Sequence, residues 1–237
     1  MTKRASTSPA DRLSKMHDQL VHAYGPQYWW PAQTPFEVII GAYLTQNTSW
    51  KAVEGSLRAL REAGALTVDG LRSLSLEKLK QLIRPSGFYT RKAPALKAFI
   101  AMLDADFDGS LETMASASTH SLRNRLLALP GVGPETADAI LLYAFHHPIP
   151  VADEYLRRIV ARHKLIDPMP TKNRQGYDSL VQLTRQAFSS APKGNHARLF
   201  NEFHALTVAV GKAHCKRVPD CSLCPLSSDL SFFNKSK

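Results

Sequence analysis

The segment Leu129-Pro130-Gly131-Val132-Gly133-Pro134-Glu135-Thr136-Ala137-Asp138, with Asp153 fifteen residues beyond it, constrains this chain more than any other. Apolar residues on both sides recur at helical spacing, so the two glycines have to turn the chain between two helices. Gly131 and Gly133 permit backbone angles closed to other residues and let the main chain approach a ligand unobstructed. Pro134 suits the first position of a helix. The N–H groups of the helix it opens point outward, where an anion is favoured. Such a hairpin can hold a phosphate backbone without reading its sequence. An acidic residue at the start of the next helix could then act on the sugar that carries the phosphate. A plain helix–helix turn, with Asp153 as a helix cap, is the alternative, and a short Gly-x-Gly alone would not separate the two.

Charge supports the first reading. The 237 residues carry 30 Lys+Arg against 20 Asp+Glu, a formal charge of +10, which suits a polyanionic partner, nucleic acid first. With 44% hydrophobic residues the chain is globular. No apolar run reaches the ~18 residues of a membrane span. Met1–Asp11 is short, polar and without an apolar stretch, so it reads as a frayed tail and not as a secretory signal. The three cysteines all lie between Cys215 and Cys224. An odd, clustered set suits a metal better than disulfides, and a reducing cytoplasm follows, in a bacterial cytosol or nucleoid.

The pattern is helical nearly throughout, with about ten helices and no alternating strand. Thr34-Pro35-Phe36-Glu37 is a capping box with proline at the first helical position. Behind it Phe36, Ile39, Ile40, Tyr43 and Leu44 share a face. Further helices follow over 49–61, 76–83, 92–103, 121–129, from Pro134, and over 154–163, 177–188 and 197–210. His146-His147-Pro148-Ile149-Pro150 marks a linker, and the two histidines read as solvated. Asp104-Ala105-Asp106-Phe107-Asp108-Gly109 imitates half a calcium loop. Ala115 stands where the bidentate Glu belongs, which leaves an acidic turn between helices.

Leu129 to Asp138, together with Val151-Ala152-Asp153, resembles the helix-hairpin-helix (HhH-GPD) DNA glycosylase superfamily, specifically its endonuclease III branch. The resemblance runs from about Pro35 to Cys224. Tyr28-Trp29-Trp30-Pro31, Thr45-Gln46-Asn47-Thr48, Arg84-Pro85-Ser86-Gly87-Phe88-Tyr89 and Ala137-Asp138-Ala139-Ile140-Leu141 look closest to the third type of 3-methyladenine DNA glycosylase. It implies an all-α fold of two lobes with a cleft between them. Residues 34–147 would form a six-helix core lobe with the hairpin motif at about 122–145. Residues 1–33 and 148–237 would form the second.

The resemblance also implies roles. Asp153 matches the catalytic aspartate. A carboxylate that caps a helix stays ionised at neutral pH, and an ionised carboxylate beneath C1′ can stabilise oxocarbenium-like charge and orient water. Gln46 matches the glutamine that enters the space left by a flipped base. Gly131, Val132, Gly133 and Thr136 are the hairpin's DNA contacts. Glu135 stands where bifunctional relatives carry an imine-forming lysine, and a carboxylate cannot form that bond. Trp29, Trp30, Pro31 and Trp50 surround the base pocket, with Glu135 and Lys212 near its rim. Tryptophan stacks on bases and attracts cationic faces, although these indoles could equally be core residues.

Cys215-x5-Cys221-x2-Cys224 falls where endonuclease III holds a [4Fe–4S] cluster. The first spacing is one residue short, and Leu230 or Ser231 occupies the place of the fourth cysteine. His214 or an external ligand could complete the set; a loop that no longer holds metal is the other reading. In sum, the sequence predicts a monomeric, monofunctional glycosylase that removes alkylated purines from double-stranded DNA. Its alternatives are a glycosylase with lyase activity on oxidised pyrimidines and a module that binds lesions without cutting.

Overall fold

Hydroxyl, Asp and Asn side chains punctuate this chain. In the computed structural model, which describes residues 7–30, 32–169 and 171–234, the side chains of Ser8, Thr34, Ser49, Thr67, Ser75, Ser110, Ser118, Asp153 and Asn173 each accept a main-chain N–H in the first turn of a helix. Each satisfies a donor that the helix itself leaves unpaired. The helices are α1 Pro9–Tyr24, α2 Pro35–Leu44, α3 Trp50–Glu62, α4 Val68–Ser73, α5 Leu76–Leu82, α6 Tyr89–Phe107, α7 Leu111–Ser116, α8 Thr119–Ala128, α9 Pro134–Ala139, α10 Glu154–Arg162, α11 Arg174–Ala187, α12 His196–Ala213 and α13 Ser227–Asn234. A π-helical turn, Ile140–Ala144, continues α9. Among the described residues there is no strand, as the all-α expectation required.

The chain forms two units, Trp30–His147 on one side and Met1–Trp29 with Pro148–Lys237 on the other. The first boundary falls between Trp29 and Trp30, earlier than the Gln33–Thr34 division read from the sequence.

In the unit Trp30–His147, α2 is the central helix. Every residue from Phe36 to Leu44 is buried, which is the mark of a helix surrounded by others. It packs against α3, α6, α9 and the π turn. Two lysines of α6 tie down the ends of neighbouring helices. Lys92 donates to Leu44 O and Ser86 O, both at 2.8 Å. Lys97 donates to the carbonyls of Leu71, Arg72 and Leu74 at the end of α4. A cation at a helix C-terminus complements the helix dipole. Burial pushes the Lys92 ammonium below its ordinary pKa.

In the other unit, α1 packs on α11 and α12, and α12 on α10. Phe188 meets Phe203 edge-on at 5.1 Å, and His17 meets Phe188 at 5.2 Å. Helix α13 is held by Asp229, whose carboxylate accepts from Arg12 Nε and Nη2 and pairs with His163 Nδ1 at 2.8 Å. Burial alone would raise the Asp229 carboxyl; the bonds from His163 and Arg12 outweigh it and hold the group at about 2. A depressed carboxyl stabilises the fold above its unfolded pKa of about 3.9 and loses that contribution as pH falls through the folded value. Stability is therefore expected to fall by about 2 kcal/mol between about pH 4 and pH 2 through this group. Urea titrations of the parent and Asp229→Asn across that range test it: equal acid sensitivity in the two proteins refutes the assignment.

Several expectations change. Pro9, Ala10 and Asp11 are not a frayed tail. Ser8 and Asp11 form a capping box that opens α1, whose Leu13, Met16 and Leu20 are buried. Helices α4, α7 and α13 were not foreseen, and α6 starts at Tyr89, so Pro94 lies inside it. His147 is not a solvated loop residue. Its Nδ1 bonds Thr119 Oγ1 at 2.9 Å, its Nε2 is buried, and burial lowers its pKa. Asp104 and Asp106 lie on the last turns of α6 and pair with Arg72 and Arg125.

Candidate functional site

The hairpin is built as its residues demand. Leu129 ends α8, Gly131 adopts the left-handed φ of 76°, and Gly133 precedes α9. Val132 turns its side chain into the protein, 8% exposed, and its N–H donates to Leu129 O. That N–H closes the turn while the side chain plugs the hairpin from within. Gly131 and Glu135 are exposed, and Gly133 and Thr136 are half-buried. Ala137 N–H bonds Gly133 O, so the N–H groups preceding it belong to the first turn, where an anion is favoured. The two hairpin helices are stapled by Asp138. Its carboxylate is fully buried and accepts from Arg123 Nε at 2.6 Å and Nη2 at 3.0 Å.

Gln46 lies in the loop after α2, and its Nε2 donates to Gly131 O and to Thr136 Oγ1, both at 2.9 Å. The loop and the hairpin are thus joined by one side chain. Lys92 fixes the start of that loop through Leu44 O.

The tryptophans separate. Trp30 stands edge-on to Trp50 at 5.5 Å and tilted to Tyr143 at 5.1 Å, and its ring lies over Gly41, where a Cβ would come within 3.3 Å of it. Trp30 and Trp50 are both half-buried. Tyr143 was missed by sequence reasoning; the run of apolar residues around it looks like plain core. Trp29 belongs to the other unit, where its ring lies 5.4 Å from that of His204. Pro31 lies outside the described residues. Lys212 is an exposed residue in the last turn of α12.

Asp153 caps α10. Its Oδ1 accepts Leu156 N–H at 2.8 Å, and the residue is 8% exposed. The apolar Val151 and Ala152 before it are buried, so the carboxylate sits at the positive end of α10 in little water. Its Oδ2 lies 3.6 Å from Nε2 of the buried His204, a neighbour that sequence reasoning also missed.

Cys215, Cys221, Cys224 and His214 line one small cavity of about 20 Å³, together with Leu230. Such a volume holds about one water molecule. Arg162 Nη1 donates to Cys215 Sγ at 2.8 Å, and Arg162 Nη2 donates to the carbonyls of Lys216 and Arg217. Burial and the neighbouring thiols push the Cys224 thiol up. Among the described residues, no three His, Cys, Asp or Glu side chains converge closely enough to hold a metal ion. The donor set, with leucine at the fourth corner and a guanidinium on one thiol, does not fit a four-thiolate iron–sulfur cluster.

A family profile described as "HhH-GPD superfamily base excision DNA repair protein" matches residues 40–179. The chain belongs to this superfamily. A Methanocaldococcus jannaschii protein, named for a DNA repair glycosylase whose activity is itself inferred, is 37% identical over 91% of this chain and 94% of its own. Endonuclease III of Bacillus subtilis is 25% identical over 91% of this chain and 88% of its own. Among solved structures, Helicobacter pylori 3-methyladenine DNA glycosylase (MagIII), bound to 1,N6-ethenoadenine, superposes with a TM-score of 0.72 at 27% identity, covering 87% of this chain and 98% of that one. The HhH-GPD fold and the endonuclease III branch read from the hairpin are those of these relatives, and the chain is a DNA glycosylase. No helix among the described residues is long and apolar enough to cross a membrane.

Proposed function

We propose that this HhH-GPD protein is a monofunctional, monomeric DNA N-glycosylase that removes alkylated purines such as 3-methyladenine from double-stranded DNA in the bacterial cytosol or nucleoid. The observation that carries the reading is Asp153, a buried carboxylate on a helix N-terminus, in a chain whose exposed Glu135 occupies the position that the resemblance gives to an imine-forming lysine. Glu135 removes the lyase route. Asp153 supplies fixed negative charge for a cationic sugar.

The remaining residues suit the substrate. The half-buried Trp30 and Trp50 offer aromatic surface to a base that has left the stack, with the buried Tyr143 packed against Trp30. N3- and N7-alkylated purines are cationic in the nucleoside, so aromatic faces attract them, and their glycosidic bonds break without strong acid help. First-turn N–H groups of α9 bind backbone phosphate. In the chemical step the C1′–N bond breaks and its electron pair leaves with the base. The oxygen of water bonds C1′, and its proton passes to the Asp153 carboxylate. MagIII, the similar H. pylori enzyme, is named for 3-methyladenine, which supports the same class here. No step passes through iron, and purified protein is expected to contain no stoichiometric iron by metal analysis.

The deciding experiment is a panel of duplexes carrying methylated purines, oxidised pyrimidines or mismatched uracil, scored separately for released base and for strand cleavage. Release of methylated purine with intact strands is the expected result. Borohydride trapping of a covalent DNA adduct would instead establish a lyase. Salt-sensitive binding with no base released from any lesion would leave a lesion-binding module.

A further inference from the structure

His204 interrupts the most deeply buried stretch of α12. Phe203, Ala205, Leu206, Thr207 and Val208 around it are all buried, and His204 itself is 6% exposed. A polar ring in such surroundings is costly unless a partner meets it. Its Nε2 faces Asp153 Oδ2 at 3.6 Å, while its ring lies 5.4 Å from that of Trp29, tilted by 47°. Leu156 N–H holds the other oxygen, Oδ1, at 2.8 Å. The carboxylate is thus flanked on both oxygens by groups from two different helices.

We infer that His204 is a positioning residue for Asp153: it fixes the plane of the carboxylate through Oδ2 and joins Trp29 to it. The inference rests on the reading of Asp153 as the group that acts on C1′. With only the Leu156 bond, the carboxylate could still swing its second oxygen about the Cβ–Cγ bond. His204 Nε2, placed opposite Oδ2, limits that swing once the two close to hydrogen-bond distance. A separation of 3.6 Å is longer than a hydrogen bond, and catalytic contacts that are long in the free protein tighten on the substrate. The Trp29 indole packs against the same imidazole, so the ring has both the indole and the carboxylate as neighbours. Misplacing a reacting group by about 1 Å can lower a rate by on the order of 100-fold, and this is the effect that His204 prevents.

Single-turnover release of methylated purine should fall by on the order of 100-fold in His204→Ala, with duplex affinity unchanged. His204→Gln, whose amide nitrogen can reach the same place, should recover most of the loss. In an Asp153→Asn background, His204→Ala should change nothing further. Thermal unfolding of each variant identifies folded protein. A parental rate in His204→Ala, a loss confined to DNA affinity, an equal loss in the Asp153→Asn background, or no recovery in a folded His204→Gln would each overturn the inference. A measurement independent of substrate keeps the two proposals distinguishable. Nitrogen-15 shifts of the His204 ring should move on Asp153→Asn. Unmoved shifts sink the pairing whatever the enzyme removes; moved shifts with no base release from any lesion sink the glycosylase reading alone.

Discussion

Replacing Asp153 by asparagine is expected to slow base release from methylated duplex DNA by about a thousandfold, equivalent to about 4 kcal/mol of transition-state stabilisation. The substitution is unusually clean. Asp153 performs two jobs, capping α10 through Oδ1 and, in the proposed mechanism, carrying negative charge toward C1′. Asparagine caps a helix about as well as aspartate, so the first job survives while the charge is lost. Thermal unfolding of the variant should therefore track the parent closely. Asp153→Ala should lose both, with about 1 kcal/mol less stability as well as the rate. A variant that releases base at the parental rate would remove Asp153 from the mechanism.

The largest expected effect on stability lies at Asp138, on the hairpin itself. Its carboxylate is 0% exposed and bonds two nitrogens of Arg123, whose side chain is 17% exposed. Removing one partner of a buried ion pair costs about 3–5 kcal/mol, because the other charge stays behind in little water. Asp138→Ala is expected to cost about 3 kcal/mol, the lower end, since Arg123 keeps some contact with solvent. Urea unfolding should show a lower midpoint with an unchanged slope. Exchanging both partners for apolar residues of similar size should recover much of the loss. A cost below about 1 kcal/mol would show that the pair does not hold the hairpin together.

The hairpin was legible in the sequence because its chemistry is local. Gly131 needs a positive φ and Pro134 a helix start, and neither requirement depends on the rest of the fold. Asp138 shows the opposite case. The sequence marks it only as an acid on a helix; that it meets Arg123 depends on how α8 and α9 cross. The all-α class followed from periodicity, yet α4 and α7 are too short to show one. Helix α1 did carry a signal, the Ser8-x-x-Asp11 box, hidden beside an unpatterned N-terminus. His204 reads as one more buried position on α12, and nothing near it in sequence points to Asp153. The sequence singles out the tryptophans as a group, but only tertiary structure sorts Trp30 with Trp50 and Tyr143 and leaves Trp29 with His204. In the cysteine segment the missing fourth ligand was visible in sequence, whereas the Arg162 guanidinium on Cys215 was not.

The bonds made by Gln46 fix the polarity of what it can offer. A primary amide has two protons, and both are committed, one to Gly131 O and one to Thr136 Oγ1. While the hairpin holds it, the group this side chain has left to offer is its oxygen, a hydrogen-bond acceptor. Donor edges can meet it there, and acceptor edges are met by repulsion.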